Sequence, residues 1–325
     1  MVFTLALAAL AIFATLYLLR LYHTATNREC RSLKTLKGKT AIVTGGTTGM
    51  GLEIATDFAR RGARVIIACP FPQEGIDAQR IIEEKTRKKV VFKLLDLGSL
   101  ESVRSFAADI LENEDRLDLL MNNAGVGIPK NFETKDRLNF IMQVNYYGHF
   151  LLTILLLPLL KKTGTAAEPA RVVNTSSRLH YFGRVDLSDS DINWLSFFSY
   201  CNSKFSLILF SRELTRRIKG SHVVIHSVDP GTVGTGIYNC TGKILGAICR
   251  YLLIFCSKTP KVGAQTALHV ALDDEIGQTS GGYFVNCRPA RAIPWAYKDK
   301  NARILWEESI TLVKLTDDEV EQSFK

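Results

Sequence analysis

Tyr200 and Lys204 are the two residues in this sequence whose types and spacing point most directly to chemistry. Four residues apart, they lie one above the other on a helix face. A phenol with a pKa of about 10 moves protons poorly at neutral pH. A lysine ammonium one turn away favours the phenolate, and an oxidised nicotinamide nearby would favour it further. Bringing the phenol about 3 units towards neutrality corresponds to roughly 4 kcal/mol of differential interaction. Tuned in that way, Tyr200 is an acid/base for interconverting an alcohol and a carbonyl. Tyr-x-x-x-Lys also recurs on helix surfaces with no such role, so its meaning depends on the elements that position it.

Thr40–Thr44 is a short β-branched run. It is followed by Gly45-Gly46-Thr47-Thr48-Gly49-Met50-Gly51 and then by a helical pattern through Leu52, Ile54, Ala55, Phe58 and Ala59. Strand, glycine-rich turn and helix form the arrangement in which helix-terminal amides approach a pyrophosphate. The spacing is Thr-Gly-x-x-x-Gly-x-Gly, not Gly-x-Gly-x-x-Gly. Arg64–Ala68 reads as a second strand. An acid at its end would hold the ribose hydroxyls of NAD, but Cys69, Pro70 and Phe71 stand there. Next come a helix through Ile76, Ala78, Ile81 and Ile82, and a strand over Val90–Leu94 leading to Asp96-Leu97. A helix over about Leu100–Leu111 follows, then a strand over Leu117–Met121 running into Asn122-Asn123-Ala124-Gly125. Strands alternating with helices of about 10–15 residues predict an α/β fold, a single doubly wound parallel sheet of Rossmann type with helices on both faces.

A long helix is expected over Leu138–Lys162, with Asn145 inside it. The uninterrupted apolar run Phe150–Leu160 is too short for a bilayer and reads as core, and Pro158 should kink or end the helix. Arg171–Thr175 is a fifth strand, ending at Ser176-Ser177. His180 follows in a loop, and a lone histidine there is read as structural rather than as a second base. Val223–Val228 leads into Asp229-Pro230-Gly231-Thr232-Val233-Gly234-Thr235. The apolar stretch Ile237–Cys256 contains Lys243 and Arg250, which argues for a lid over a greasy substrate or an interfacial helix rather than a span. A helix over 260–272, a strand over Gly282–Val285 and a helix near Asn301–Val313 complete the order.

The chain has 325 residues, 46% of them hydrophobic, and shows neither an internal repeat nor a low-complexity linker, so one large α/β domain is expected. Cysteines at 30, 69, 201, 240, 249, 256 and 287 contain no Cys-x-x-Cys pair, so neither a metal site nor a disulfide framework is expected. Val2–Leu19 is apolar except for Thr4 and Thr15, and spans about 27 Å as a helix, close to a bilayer core. A cleaved signal peptide or a monotopic helix is the competing reading, but nothing basic precedes the run. Between Arg20 and Lys39 the excess of Lys and Arg is +5 of the formal +9. Basic residues after the span place the domain beyond it in the cytosol. They also account for most of the net charge, so nucleic acid is not called for as a partner. The expected organisation is an anchor over 1–20, a basic juxtamembrane linker over 21–38 and a catalytic domain over 39–325. Asn174-Thr-Ser176 and Asn239-Cys-Thr241 fit the glycan-acceptor pattern and would report a lumenal domain.

With these pieces in order, the chain resembles the membrane-anchored branch of the short-chain dehydrogenase/reductases, the retinol dehydrogenase-like and X-linked dehydrogenase/reductase-like proteins. The likeness runs from about Lys39 to Val313. It rests on Thr44-Gly45-x-x-x-Gly49-x-Gly51, Asp96-Leu97, Asn122-Asn-Ala-Gly125, Asn145, Ser177, Tyr200-x-x-x-Lys204 and Pro230-Gly231. The resemblance implies that Tyr200 is the acid/base and that Lys204 holds the nicotinamide ribose and lowers the tyrosine pKa. It also implies that Ser177 hydrogen-bonds the substrate oxygen and that Asn145 joins a water relay to the lysine. For the cofactor it implies contacts from Thr44, Gly45, Thr47, Gly49, Met50 and Gly51, from Asp96 and Leu97, and from Asn123, Ala124 and Gly125. Further contacts are implied from Pro230, Gly231, Val233 and Thr235, besides Tyr200 and Lys204 themselves. Many relatives have Ala-Cys-Arg where this chain has Ala68-Cys69-Pro70, losing an arginine that pairs with the 2′-phosphate. The missing acid argues against strict NAD, so the resemblance leans to NADP(H), with NAD(H) as the other possibility. The activity implied is NAD(P)-dependent interconversion of a hydrophobic alcohol and its aldehyde or ketone, with a retinoid, steroid or polyisoprenoid as substrate, at the endoplasmic reticulum or a lipid droplet. The alternative is a non-catalytic cofactor-binding scaffold or lipid-surface interaction protein.

Overall fold

The computed structural model describes residues 14, 15, 17, 18, 20, 21, 25–127, 132–184, 196–234 and 257–325. The expected lid Ile237–Cys256, Thr235, Asn239 and most of the expected anchor lie outside these residues.

Alternation of buried residues on both faces builds the sheet. In β1 (Thr40–Thr44) every residue is buried, with Ile42 packing into one core cluster and Ala41 and Val43 into the other. A strand covered on both sides is a parallel-sheet strand. β1 pairs in parallel with β2 (Arg64–Cys69) on one side and with β4 (Leu119–Asn122) on the other. The remaining strands are β3 (Val91–Leu94), β5 (Ala170–Thr175), β6 (Val223–Asp229), β7 (Tyr283–Val285) and β8 (Arg288–Ala290). The order is β3-β2-β1-β4-β5-β6-β7-β8, parallel except for β8, which returns antiparallel to β7. The strand order reverses between β1 and β4, and the carboxyl ends of the strands at such a point form a ligand crevice.

One face carries α1 (Gly49–Arg60) and α2 (Pro72–Thr86). The other carries α3 (Leu100–Asn113), α4 (Phe140–Thr163) and α5 (Ser196–Arg217). Two short helices, α6 (Pro260–Gly263) and α7 (Gln265–Leu272), return to the α1 side in place of one helix over 260–272. Helices α8 (Asp299–Leu312) and α9 (Asp317–Phe324) close the chain. β8 and α9 were not anticipated from sequence.

α4 is long and apolar enough to cross a bilayer, but 89% of its most apolar window is buried in the protein, so it is the core helix expected. Its second turn is a π-helix over Gln143–Tyr147. Pro158 does not end it, for the helix runs on to Thr163. A proline cannot bond the carbonyl four residues back, and that carbonyl, on Ile154, instead accepts the Ser323 hydroxyl of α9 at 2.9 Å. The segment before β1 is docked along the domain. The Arg28 and Cys30 amides donate to the Asn286 Oδ1 and Gln265 Oε1 side chains, Ser32 donates to the Leu272 carbonyl, and Arg61 holds the Ser32 and Lys34 carbonyls.

Candidate active site

Thr44 ends β1, and Gly45 continues in the left-handed region at φ +62°. A Cβ at Gly45 would lie 3.0 Å from Ala124 Cα, and one at Gly51 would lie 2.0 Å from the Gly45 carbonyl oxygen. Only glycine lets the loop fold this tightly against the turn after β4. Thr44 Oγ1 accepts the Asn123 and Ala124 amides at 2.9 and 3.0 Å, and Asn123 Nδ2 donates to the Thr44 carbonyl. The loop after β1 and the Asn-Asn-Ala-Gly turn are thus one unit, with Asn123 Oδ1 buried and unpartnered beside it. Such an atom, a cradle built of glycines and a helix amino terminus beyond it fit a dinucleotide.

Helices α4 and α5 bring Asn145, Tyr200 and Lys204 to the same cleft. A π turn redirects side chains and recurs at functional sites, and Asn145 lies inside this one, fully buried. Its amide oxygen accepts the Val126 amide at 2.8 Å, and its nitrogen donates to the Val126 carbonyl and to Ser203 Oγ. A Cβ at Gly125 would lie 3.2 Å from Asn145 Oδ1 and 3.4 Å from Lys204 Nζ, so Gly125 is where these two side chains converge. Lys204 is buried, and its ammonium donates to the Thr175 carbonyl at 2.9 Å. Burial pushes it down to about 8. Nζ stands 5.5 Å from the Tyr200 ring centre, so the two residues share the face their spacing predicts. Beside them Thr175 Oγ1 is buried and unpartnered.

β5 stops at Thr175, so Ser176 and Ser177 lie just past the strand rather than on it. Their side chains still part: Ser176 is buried and donates to the Lys204 carbonyl, while half-buried Ser177 accepts the Leu179 amide of its own turn at 3.2 Å. His180 Nδ1 donates to the Ser177 carbonyl and Nε2 accepts the Ile293 amide, and burial lowers its pKa. Both ring nitrogens are engaged, which makes it a support for Ser177.

Asp96 is exposed past β3, turning one oxygen to the Gly98 amide, and Leu97 is buried with its carbonyl against Gly148 of α4. Pro230 and Gly231 form the turn after β6, where Asp229 Oδ1 accepts the Gly231 amide at 2.7 Å. Met50 and Val233 meet over Gly263, which brings the start of α1 against the end of α6. Thr47 lies in the loop with its hydroxyl towards Glu74, while Gly49 opens α1.

Two contributors escaped the sequence reading. Arg178 reaches the buried Asp229 at 3.4 Å, so the Asp-Pro-Gly turn is held by a partner from the loop after β5. His149 is fully buried, and burial drives its pKa to about 3, so the ring is neutral. Nδ1 faces the Asn145 carbonyl at 3.1 Å and must carry the hydrogen, leaving Nε2 to accept the Thr44 hydroxyl at 2.9 Å. His149 therefore ties Thr44, at the head of the glycine-rich loop, to Asn145. The available signal was its spacing four residues after Asn145 inside an otherwise apolar helix.

The short chain dehydrogenase family model matches residues 39–243. The chain is 41% identical to mouse (Mus musculus) retinol dehydrogenase 11 over 298 residues, 89% of this chain and 90% of that protein. It is 39% identical to human (Homo sapiens) retinol dehydrogenase 13 over 304 residues, 89% of each. Bovine (Bos taurus) dehydrogenase/reductase SDR family member 13 is 39% identical over 92% of this chain and 79% of its own length. A crystal structure of an uncharacterized protein from Mycobacterium paratuberculosis superposes with a TM-score of 0.71 at 28% identity, covering 89% of this chain and 98% of that one. The chain belongs to the short-chain dehydrogenase family and is an NAD(P)-dependent oxidoreductase.

Proposed function

We propose that the protein interconverts a hydrophobic alcohol and its aldehyde or ketone, with Tyr200 as the acid/base. The observation that carries this reading is the convergence of Lys204, Asn145 and Gly125 beside the Tyr200 ring at the carboxyl ends of β4 and β5. A nicotinamide dinucleotide, when bound, supplies or removes the hydride. Thr44, Gly45, Gly51 and Asn123–Gly125 would hold it, and Lys204 would engage its ribose. Tyr200 exchanges the proton with the substrate oxygen, Ser177 hydrogen-bonds that oxygen, and Lys204 favours the phenolate. Asn145 would join a water relay to the lysine.

The names of the retinol dehydrogenase relatives, the apolar amino terminus and the apolar stretch 237–256 support a lipid-derived substrate, with a retinoid first among retinoids, steroids and polyisoprenoids. They support equally an anchored enzyme at the endoplasmic reticulum or a lipid droplet with its domain in the cytosol. Purified full-length protein offered these three panels with both reduced and both oxidised cofactors should turn over at least one retinoid. Binding of dinucleotide with no turnover of any panel would favour the scaffold reading instead.

A further inference from the structure

No acid or base stands at the end of β2, where the 2′-position of the adenosine ribose is normally read. Cys69 is buried and its thiol is engaged with the Phe71 carbonyl and amide, while Pro70 offers no donor. The glycine-rich loop presses directly on this strand end, since a Cβ at Gly46 would lie 2.8 Å from Ile67 Cγ2. The next loop residue, Thr47, is buried and donates its hydroxyl to Glu74 Oε2 at 3.4 Å. Glu74 sits in the first turn of α2, behind Pro72. Nearby cations on that helix are engaged elsewhere, Arg80 with Asp77 and Lys85 with Glu53.

We propose that Glu74 is the residue that specifies the cofactor: its carboxylate accepts the ribose 2′-hydroxyl and excludes a 2′-phosphate, making NAD(H) preferred over NADP(H). Glu74 thus supplies, from the helix, the acid that the strand lacks. The location also removes the feature that most favours phosphate there. A helix amino terminus attracts anions, and a carboxylate in the first turn already occupies that field. The phosphate would meet like charge, with neither Arg nor Lys among the described residues of the strand end to offset it.

This inference rests on the cofactor reading of the cleft. Calorimetric titration of the full-length protein with NAD+ and NADP+ tests it without turnover. Wild type should bind NAD+ about tenfold or more tightly than NADP+. Glu74→Gln should shrink that ratio through gain of NADP+ affinity, and Glu74→Lys should invert it, with thermal midpoints unchanged for both. A wild type that prefers NADP+, or a ratio untouched by Glu74→Gln, would overturn the assignment while leaving the cleft reading intact. Binding of neither dinucleotide would overturn both.

Discussion

At the scale of single residues, the site divides into groups that touch reacting atoms and groups that hold them. Tyr200→Phe should reduce kcat by about a thousandfold or more while leaving dinucleotide affinity nearly unchanged, because in the role proposed for it the hydroxyl moves the proton and contributes little to binding. Lys204→Ala should harm both, and a titration alongside steady-state kinetics separates the two. Substantial turnover in the phenylalanine variant would falsify the role given to Tyr200. His149 belongs to the second group. His149→Gln can still donate to the Asn145 carbonyl and accept from Thr44, so it should retain much of the activity. His149→Phe should lose both bonds and raise KM for the cofactor as well as lowering kcat. Equal losses in the two variants would mean that ring shape, not hydrogen bonding, is what matters. What was legible in the sequence was that Thr44, Asn145 and the Tyr200–Lys204 pair would come to one cleft, because type and spacing place them there. His149 and Arg178 were not legible, because their partners lie on other elements and only the fold brings them together.

At the scale of elements, alternating strands and helices were readable because a doubly covered sheet leaves near-continuous apolar runs. The π turn in α4 was not, since Gln143–Tyr147 keeps the apolar pattern of an ordinary helix. Nor could sequence show how α4 survives Pro158. The Ile154 carbonyl that the proline leaves without its helical donor is met from 169 residues away by the Ser323 hydroxyl, whose one hydrogen it shares with the Glu319 carbonyl at 2.7 Å, on a helix opened by a Thr316–Glu319 capping box and tied down by an Arg104–Glu319 ion pair. Ser323→Ala should therefore cost about 1–3 kcal/mol, the range for stranding a buried acceptor. Pro158→Ala, which restores the backbone donor, should recover most of that loss in the double variant. Denaturant midpoints of the four proteins decide it, and strictly additive effects would sink the explanation.

At the scale of the whole molecule, buried neutral histidines set the acid limit. His149 sits near 3 and His226 near 4, both held down by burial from an ordinary 6.5. Between those values and 6.5 the unfolded chain binds more protons than the folded one. Stability is therefore complete above about pH 6.5 and is lost as pH falls towards 4. Urea midpoints from pH 7 to pH 4.5 should show that fall, and His149→Gln should flatten it; an unchanged slope would exclude His149 as a source. Orientation can be tested separately. Asn174 is fully buried on β5 and cannot report through a glycan, so protease added outside intact microsomes is the decisive measurement. A cytosolic domain is digested, and a lumenal one is protected until detergent is added.

The docked segment before β1 bears on how such an enzyme would meet a substrate dissolved in a bilayer. Left free, residues 26–37 could extend over about 40 Å, letting the domain tumble above the surface. Pinned from Thr26 to Lys34 against the β7–β8 turn, α7 and Arg61, they act as a rigid mount. Were the apolar amino terminus in a membrane, this mount would shorten the free tether between it and the domain. Arg61→Ala together with Asn286→Ala should loosen that mount. Turnover of a vesicle-embedded retinoid should drop several-fold while a detergent-solubilised one is consumed as before, and equal losses on both would show that the segment merely stabilises the fold.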